Sequence, residues 1–378
     1  MAAHPLLEDD DLLAEILLHL PPTPSSLLRA SAVCKRWRHL LTASDRAFLR
    51  RFHARHRRDA PLLGVVFSDF KNVTFIPTMD PPDRIRPTGR FCSLRVPRDD
   101  FLCRVVGCRD GLVLIAMPMG HRFVVWDPVS GVQHAADFPR KVVKGIYSGE
   151  INSAVFRSAA AGGDDAGFQV VLVGTDEDLT RAYVCVYSSE TGKWGNLILA
   201  SLPPVFKGLH MYIPGVLAGD SFYWVLCGDP DFYKLLEFDL NKKRLAVVDV
   251  PVDLIEDDHQ RFWVMRAEDG GLGFATLSNL SVRIWKKKDG RDAAVSGWVL
   301  VKTVELGNLL SLTSTGGEEP PLILGFAEDH NVMFLKTTAG IFMVHLKSME
   351  FKKLPEERKI DIVYPFASVY AAAVELYY

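Results

Sequence analysis

Residues with catalytic or metal-binding chemistry are scattered along this chain, and few of them stand at informative spacings. His53 and His56 lie three positions apart in an arginine-rich segment. That spacing would suit a metal pair on a helix, but it is more typical of a surface feature. Cys103 and Cys108 could approach each other across a turn, yet two thiols without two further ligands make a weak zinc site. The sequence contains no glycine-rich phosphate loop, Gly-x-Ser-x-Gly elbow or His-Glu-x-x-His motif. We therefore predict no catalytic residue, no metal site and no cofactor.

The overall composition argues against several classes of protein. The 378 residues carry a formal net charge of −2, so no global positive field attracts nucleic acid. No apolar run reaches the roughly 18 residues that cross a bilayer, and the acidic N-terminus lacks the pattern of a secretory signal. Six scattered cysteines without a Cys-x-x-Cys pair favour reduced thiols. We expect no membrane or nucleic-acid partner, and we expect a chain that works in the cytoplasm, the nucleus or both.

The first sixty residues predict a unit of short helices with more apolar surface than it can bury. Leu18 lies on one side of the first helix, opposite an arc of about 140° that holds Leu12, Leu13, Ile16, Leu17 and Leu20. A second helix is predicted to have one apolar stripe, made of Val33, Cys34, Trp37, Leu40 and Leu41. A unit of roughly 60 residues buries only about 60% of its unfolded surface. Leucine on two faces therefore predicts a surface for a partner chain.

Cys34 is the thiol that needs separate attention, because it stands on the second apolar stripe beside Trp37. A thiol in such a position packs as a small hydrophobic group. Burial also raises the pKa of a thiol and suppresses its nucleophilicity. We therefore expect Cys34 to pack inside the helical unit and not to act as a nucleophile.

The same residues carry a family resemblance. The chain reads Leu-Leu-Ala-Glu-Ile-Leu-Leu-His-Leu-Pro over residues 12–21, Ser-Leu-Leu-Arg-Ala over 26–30 and Val-Cys-Lys-Arg-Trp-Arg over 33–38. This order resembles the F-box, the adaptor-binding motif of substrate receptors in Skp–cullin–F-box ubiquitin ligases. Many F-boxes begin with Leu-Pro, whereas Leu7 is followed here by Glu8 and three aspartates, which suit a helix N-terminus. We expect an altered start with adaptor binding kept. The alternative is a helical hairpin docked on the chain's own second domain.

The resemblance implies a set of residues that form the F-box core and the surface for a Skp-family adaptor, without dividing them between the two roles. It also implies that the adaptor tethers a cullin scaffold, so that contact with the cullin is indirect. Ubiquitin transfer then belongs to other subunits, and this chain is not an enzyme. The predicted adaptor-binding residues are Leu12, Ile16, Leu17, Leu20, Pro21, Leu28, Val33, Trp37 and Leu41.

Beyond Pro61 the sequence changes to short β-rich runs separated by polar turns, and several of these units recur. The spacings between equivalent positions of five units are 61, 51, 47 and 59 residues. Repeats of about 40 to 50 residues with four strands are typical of β-propeller blades, and longer gaps indicate loop insertions. The five units are centred on Trp126, Tyr187, Phe238, Trp285 and Val344.

A sixth blade is predicted from both ends of the β-rich region. Strand-like segments at residues 62–67 and 73–76 could pair with residues 366–376, which would remove exposed strand edges. The predicted fold is therefore α+β and multidomain. A small all-α helical module spans residues 1–60, and an all-β propeller-like domain of about six blades spans residues 61–378. An array of β-sandwiches is the structural alternative.

The β-rich region resembles the F-box-associated domains of plant F-box proteins. The matching segments are residues 107–112, 126–131, 219–224 and 365–370. In that family these positions define the fold, so they imply a propeller-like recognition domain and leave its ligand open. The two resemblances together imply a non-catalytic receptor that presents a protein substrate for ubiquitination. Its substrate-binding residues are unknown.

Two other classes of function stay open. The first is an F-box-like protein-interaction scaffold that acts outside a ligase, for instance in localisation. The second is a propeller hydrolase or a carbohydrate-binding propeller, which would need convergent carboxylates or a metal on the axial face. The candidates by residue type are Asp127, Asp220, Asp239 and Asp269, although a role in forming turns explains them better.

Four polar insertions are the expected places for variable recognition. They are rich in Gly, Pro or charged residues, and loops on a rigid scaffold often carry binding function. These insertions are residues 80–83, 159–167, 286–292 and 313–321.

Overall fold

A computed structural model describes most of the chain, in fourteen stretches. These are residues 9–41, 46–69, 72–86, 103–117, 121–139, 151–157, 167–210, 212–228, 233–250, 262–278, 280–288, 297–310, 320–356 and 360–370. Within them, the N-terminal part is helical and the remainder is almost entirely antiparallel β-sheet. Among these stretches, no helix has the length and hydropathy that a membrane crossing requires.

Four helices form the N-terminal module, and local sequence sets their ends. They are α1 (Asp10–Leu17), α2 (Pro24–Ser31), α3 (Lys35–Leu41) and α4 (Arg46–His56), followed by a 3-10 turn at Arg57–Asp59. The side chain of Asp9 caps α1 by accepting the backbone N–H groups of Asp11 at 2.9 Å and Leu12 at 3.3 Å. Pro24 occupies the first turn of α2, where its missing N–H has no cost.

Six antiparallel sheets follow, and the first of them joins the two ends of the β-rich region. This closing blade contains β1 (Leu62–Ser68), β2 (Val73–Pro77) and the C-terminal strand β25 (Tyr364–Ala367), in the order β2-β1-β25. Blade 2 has the strands in chain order: β3 (Arg104–Arg109), β4 (Leu112–Met117), β5 (Arg122–Trp126) and β6 (Gln133–Asp137).

Blades 3 and 4 each contain one interrupted strand. Blade 3 has β7 (Ile151–Arg157), β8 (Phe168–Thr175) and β9 (Arg181–Ser188), with both β10 (Lys193–Trp194) and β11 (Ile198–Ser201) paired to β9. In blade 4, both β12 (Phe206–Leu209) and β13 (Val216–Ala218) pair with β14 (Ser221–Gly228), which is followed by β15 (Tyr233–Asp239) and β16 (Arg244–Asp249).

Blades 5 and 6 are regular four-stranded sheets. Blade 5 contains β17 (Phe262–Arg266), β18 (Leu272–Ser278), β19 (Ser281–Lys287) and β20 (Trp298–Glu305), after which comes a short helix, α5 (Leu306–Leu310). Blade 6 contains β21 (Leu322–Ala327), β22 (Val332–Thr337), β23 (Gly340–His345) and β24 (Phe351–Lys353), with a 3-10 turn at Glu328–His330.

The blades are arranged as a ring. The first strands of neighbouring blades contact one another, from β25 to β3 and β7 on one side and to β21, β17 and β13 on the other, so these strands surround the axis. Among the described residues, these innermost strands end at the same end of the ring. We call this end the near face, because the helical module packs there, and the opposite end the far face.

Six apolar clusters form the core, one between each pair of neighbouring blades. Trp126 of blade 2 is fully buried against the closing blade, and Trp224 of blade 4 is buried against blade 3. Phe334 of blade 6 is buried against the closing blade from the other side. Each blade is therefore covered on both faces by its neighbours, as propeller geometry requires.

The structure confirms the predicted helical region followed by a six-bladed propeller. The five repeating units and the blade closed by both chain ends are all present, and the β-sandwich alternative is wrong. Two predicted details differ. Lys286 and Lys287 belong to β19 and not to a loop. The C-terminal strand is Tyr364–Ala367, shorter and earlier than residues 366–376, of which 371–376 lie outside the described residues.

The closing blade provides a stability test with a matched control. Phe366 on β25 is fully buried, and its ring meets that of Phe75 edge-on at 6.1 Å between centroids. Phe366→Ala should lower the free energy of unfolding by about 3–5 kcal/mol, because it leaves a cavity in the blade that closes the propeller. Phe351→Ala on β24 removes the same atoms from a side chain that is 48% exposed, and should cost less than about 1 kcal/mol. Urea denaturation measures both; equal costs would contradict the closure.

Candidate protein-docking surface of the helical module

The helical module has an apolar core that the chain fills by itself. Side chains from all four helices meet there, and those of Phe48 and Phe52 stack at 6.1 Å between ring centroids. Val369, which follows β25, is 1% exposed and packs in the same core. The interior of the module is therefore complete without a second polypeptide. Its other buried members are Leu13, Leu17, Leu18, Leu27, Ala30 and Leu41.

Four large aliphatic side chains of the module point away from this core, and we call them the outer surface. Leu12 is 36% exposed, Ile16 47%, Leu28 46% and Val33 62%. Leu12 and Ile16 are four residues apart on α1, so they lie on one face of that helix. Burying them would require a surface from outside the module.

The exposed aliphatic residues are concentrated in this part of the chain. The described residues contain twelve large hydrophobic side chains classed as exposed, and four of them fall between Leu12 and Val33. Single exposed hydrophobic residues are ordinary, whereas a concentration of them is typical of an interaction site. The outer surface is therefore the best-supported docking site on the module.

Ion pairs between helices lie close to the outer surface. Arg36 Nε and Asp10 Oδ1 are 2.6 Å apart, which joins the start of α3 to the start of α1. A second pair links Arg51 of α4 to Glu15 of α1. Both pairs are largely solvent-exposed, so each contributes little to stability. They place charged groups beside Leu12 and Ile16 on α1, as in the polar rim of a protein interface.

The nine predicted adaptor-binding residues divide into three groups. Five of them are exposed: Pro21 and the four residues of the outer surface. Leu17 and Leu41 are each 1% exposed and lie in the core, so they support the helices and cannot contact a partner. Leu20 and Trp37 are partly buried and pack at the edge of the core. The sequence alone could not divide these roles.

The predicted faces of the first helix are wrong in one respect. Leu18 was expected opposite the apolar arc, yet it is 4% exposed and packs in the core. Leu18 keeps helical dihedrals, and its backbone N–H donates to the Ala14 carbonyl at 3.0 Å. The side of α1 that faces the core therefore runs from Leu13 and Leu17 to Leu18, and Leu12 and Ile16 lie outside it. The ring of His56 closes this end of α1, because its Nε2 donates to the Leu18 carbonyl at 2.8 Å.

The expectation that Cys34 packs inside the module is also wrong. Cys34 is exposed and precedes α3. Its Sγ accepts the backbone N–H of Trp37 at 3.5 Å, so the thiol serves the first turn of that helix. Val33 is exposed for the same reason, since α3 begins at Lys35 and the predicted stripe does not reach back to either residue.

Asp83 attaches the module to the propeller. The backbone N–H of Ser25 in α2 donates to Asp83 Oδ1 at 2.8 Å. Burial opposes the ionisation of Asp83, but hydrogen bonds from Ser25 and Thr23 and the charge of Arg29 hold the pKa of its carboxyl below the ordinary value. Asp80 of the same turn pairs with Lys352 at 2.5 Å. Residues 80–83 were expected to be a recognition loop, and the structure instead uses them as an internal joint.

Further contacts hold the module on the near face. Arg57 lies 3.6 Å from Asp110, in the turn after β3. His330, in the turn after β21, donates from Nε2 to the carbonyl of Ala60 at 2.8 Å, and burial lowers the pKa of this imidazole. The backbone N–H of Ser368 donates to the Pro61 carbonyl at 3.2 Å. The module thus rests on the closing blade and on blades 2 and 6.

The four candidate aspartates of the propeller lie in turns on the near face, and three of them stabilise those turns. Asp127 accepts the backbone N–H groups two and three residues ahead, at 2.9 and 3.2 Å. Asp239 does the same at 3.0 and 2.8 Å, and its hydrogen bonds with Lys242 lower the pKa of its carboxyl. Asp269 accepts the N–H of Gly271 and pairs with Lys286. Asp220 lies in the turn between β13 and β14. They do not converge on the axis.

The other residues considered for chemistry have structural positions. Cys103 and Cys108 stand on one extended strand segment, about 16 Å apart at 3.3 Å per residue, so they do not meet across a turn. The ring of His56 packs on Phe52 at 4.5 Å between centroids. In the described stretches, no group of three or more His, Cys, Asp or Glu residues is arranged to hold a metal ion.

The axis of the ring contains a small cavity of about 70 Å³, lined by residues from the innermost strands of all six blades. Its polar end is on the near face, where Arg109 and Glu328 are 3.6 Å apart. The backbone N–H of Arg266 donates to Glu328 at 2.8 Å. Burial raises the pKa of Glu328 against the effect of these partners. Arg109, Arg266 and Glu328 thus join blades 2, 5 and 6, and their role is structural.

Two family models and several known proteins match this chain. The model described as F-box protein AT5G49610-like, beta-propeller matches residues 104–373, and the model described as F-box-like matches residues 10–54. The F-box protein At5g03970 of Arabidopsis thaliana is 22% identical over 395 residues, covering 98% of this chain and 88% of the relative.

Two solved structures illustrate the similarity to known structures. The Dos1 propeller has a TM-score of 0.41 at 9% identity, covering 79% of this chain and 68% of that chain. The hydrazine synthase of Kuenenia stuttgartiensis has a TM-score of 0.37 at 10% identity, covering 76% and 75%.

The joint at Asp83 predicts a local change in dynamics. Asp83→Ala removes the acceptor of the Ser25 N–H, and hydrogen exchange in α2 should become about fivefold to tenfold faster, because a partly exposed charged hydrogen bond is lost. Asp361→Ala, at an exposed aspartate outside the joint, should leave α2 unchanged. Unchanged exchange in Asp83→Ala would show that this contact does not hold the module.

The same joint predicts a pH dependence. The folded-state pKa of Asp83 lies below the value of about 3.9 that an aspartate has when unfolded. The contribution of Asp83 is therefore fully present above that pH and is lost as the pH falls through the folded-state pKa. The difference in α2 exchange between the wild type and Asp83→Asn should accordingly be constant from pH 5 to 7 and shrink below pH 4.

Proposed function

We propose that this chain, which belongs to the F-box protein AT5G49610-like β-propeller family, is a substrate receptor of a Skp–cullin–F-box ubiquitin ligase. The F-box followed by a propeller gives it the architecture of a protein-interaction receptor. The observation that carries the ligase proposal is the outer surface, whose four aliphatic side chains stay exposed although the core of the module is filled. In this proposal a Skp-family adaptor covers them.

The outer surface has the character that such an interface needs. Its centre is aliphatic, and the charged pairs Asp10–Arg36 and Glu15–Arg51 stand near it. A stable interface buries on the order of 1,200–2,000 Å² in total, and a few central side chains provide most of the binding energy. Pro21 is exposed between α1 and α2. Leu17 and Leu41 act beneath it as supports.

The proposed mechanism is proximity without chemistry on this chain. The adaptor tethers a cullin scaffold, and the propeller holds a protein substrate, so that substrate lysines reach a high effective concentration near the charged conjugating enzyme. The contacts of Asp83, Arg57 and His330 with their partners fix the module on the near face. A fixed module lets the adaptor position the propeller, and a loosely tethered one would not. We place this activity in the cytoplasm, the nucleus or both.

A scaffold that acts outside a ligase is the second candidate, and the exposed outer surface also fits it. Both candidates require adaptor binding, whereas the ligase alone requires the cullin. Co-purification of the tagged chain from cells therefore separates them: adaptor with cullin supports the ligase, and adaptor without cullin supports the scaffold. The carbohydrate-binding alternative gains no support, since the carboxylates of Asp127, Asp239 and Asp269 accept hydrogen bonds within turns.

The outer surface predicts the effect of a double substitution. Ile16→Asp with Val33→Asp should weaken the capture of a purified Skp-family adaptor by at least about 100-fold, because two central apolar contacts are replaced by charges that lose hydration. Leu199→Asp with Val132→Asp introduces the same charges at side chains that are 53% and 64% exposed on the propeller. This control should capture the adaptor as the wild type does, in biolayer interferometry.

Both double variants should keep the wild-type melting temperature, since all four positions are exposed. Capture that is equal for the two variants would contradict the assignment of the adaptor surface. Leu17 is not suitable for this test, because Leu17→Ala would create a cavity in the core and cost about 2–5 kcal/mol. A loss of adaptor capture by Leu17→Ala could then result from unfolding of the module and not from a lost contact with the adaptor.

A further inference from the structure

The outer strand of blade 5 has an unusual apolar surface. On β20, three consecutive side chains are exposed: Val299 at 38%, Leu300 at 43% and Val301 at 61%. Among the outermost strands described in the other blades, none has such a run. This strand pairs with β19 on one side, and it lies at the edge of its sheet. An exposed apolar edge of this length is a site where extended segments of other proteins add to a sheet.

Positive charge surrounds this run. Arg283 of β19 stands opposite Thr303, and Lys287 stands opposite Trp298, so a cation lies beside each end of the three aliphatic residues. Lys288 follows and is exposed. Within the described residues, Arg283, Lys287 and Lys288 form no ion pair. Over the described parts of residues 281–305 the chain has five Lys or Arg residues and a single acid, Glu305.

The register of β20 limits how a partner can pair with it. Leu300 stands opposite Trp285 and Lys302 opposite Ile284, so Val301 is an extra residue that forms a β-bulge. Bulges on edge strands interrupt regular pairing and protect the edge against uncontrolled association. Backbone pairing can then occur on either side of Val301, and side-chain complementarity must contribute the remaining affinity and the selectivity.

The charges decide which partner fits. A second copy of this chain would place two basic strands against each other, and like charges across such a contact are destabilising. An extended segment that combines carboxylates with aliphatic side chains would neutralise the cations and cover the run of Val299 to Val301. We propose that β20 docks an acidic, aliphatic, extended segment of a partner protein. Resting on the proposed receptor function, this assigns the segment to the substrate as its recognition signal.

The experiment uses the full chain and a defined probe. The probe is a fluorescein-labelled peptide of four Glu-Val repeats, whose eight residues span about 26 Å and match the length of β20. Fluorescence anisotropy at low salt should show saturable binding to the wild type. A peptide of four Lys-Val repeats should bind at least about tenfold more weakly. Absence of binding by the acidic probe, or equal binding of both peptides, would overturn the proposal.

Two matched pairs of variants locate the site. Leu300→Glu should weaken binding of the acidic probe at least about tenfold, and Leu199→Glu, at an exposed leucine of β11, should not. Arg283→Glu with Lys288→Glu should weaken it to a similar degree. Arg55→Glu with Lys193→Glu, which changes the net charge equally at exposed positions, should change it less than about threefold. Equal effects within either pair would overturn the proposal.

Two further measurements keep the alternatives apart. Sedimentation should show a monomer; a dimer that Leu300→Glu dissociates would assign the strand to a second copy and overturn the proposal. Adaptor capture should be the same for Leu300→Glu and the wild type. If the wild type binds the acidic peptide but captures no adaptor, the ligase proposal is wrong and the β20 site stands. If it captures the adaptor but does not bind the peptide, the β20 proposal is wrong and the ligase proposal stands.

Discussion

The pairing of β1 with β25 is the interaction on which the rest of the structure depends. It joins segments separated by about 300 residues, and it places a blade between blades 2 and 6, so that all six apolar clusters can form. The same C-terminal segment continues into the helical module, where Val369 completes the core and Ser368 bonds to Pro61. Closure of the ring and attachment of the module are thus one structural event. The four aliphatic side chains of the outer surface stay exposed after the chain has folded, and we propose that a partner protein covers them.

Much of this architecture could be predicted from residue patterns. Propeller repeats have a period and a turn chemistry that survive divergence, so the units around Trp126, Tyr187, Phe238, Trp285 and Val344 were visible without a structure. The closing blade followed from strand-like segments at both ends of the β-rich region, which closure of the ring would pair. The helical module was visible from apolar residues between acidic and proline-rich boundaries. These signals are local, and they need no knowledge of which surfaces meet.

What the sequence could not supply depends on contacts between distant segments. The burial of Leu18 depends on which side of α1 meets the other helices, and the exposure of Cys34 depends on where α3 begins. Asp83 resembled part of a recognition loop, and its role is set by Ser25, 58 residues earlier in the chain. The cations of blade 5 became meaningful when the register placed them beside Leu300. Such relations are properties of the folded ring.

The central claim is that the module is fixed to the propeller and keeps its outer surface for a second polypeptide. Hydrogen exchange of the full chain, with and without a purified Skp-family adaptor, tests this most directly. The account predicts slower exchange in α1 and in residues 28–33 when the adaptor is present, with no change in β25 or in the turn that contains Asp83. Unchanged exchange in α1, or protection confined to the propeller, would contradict it.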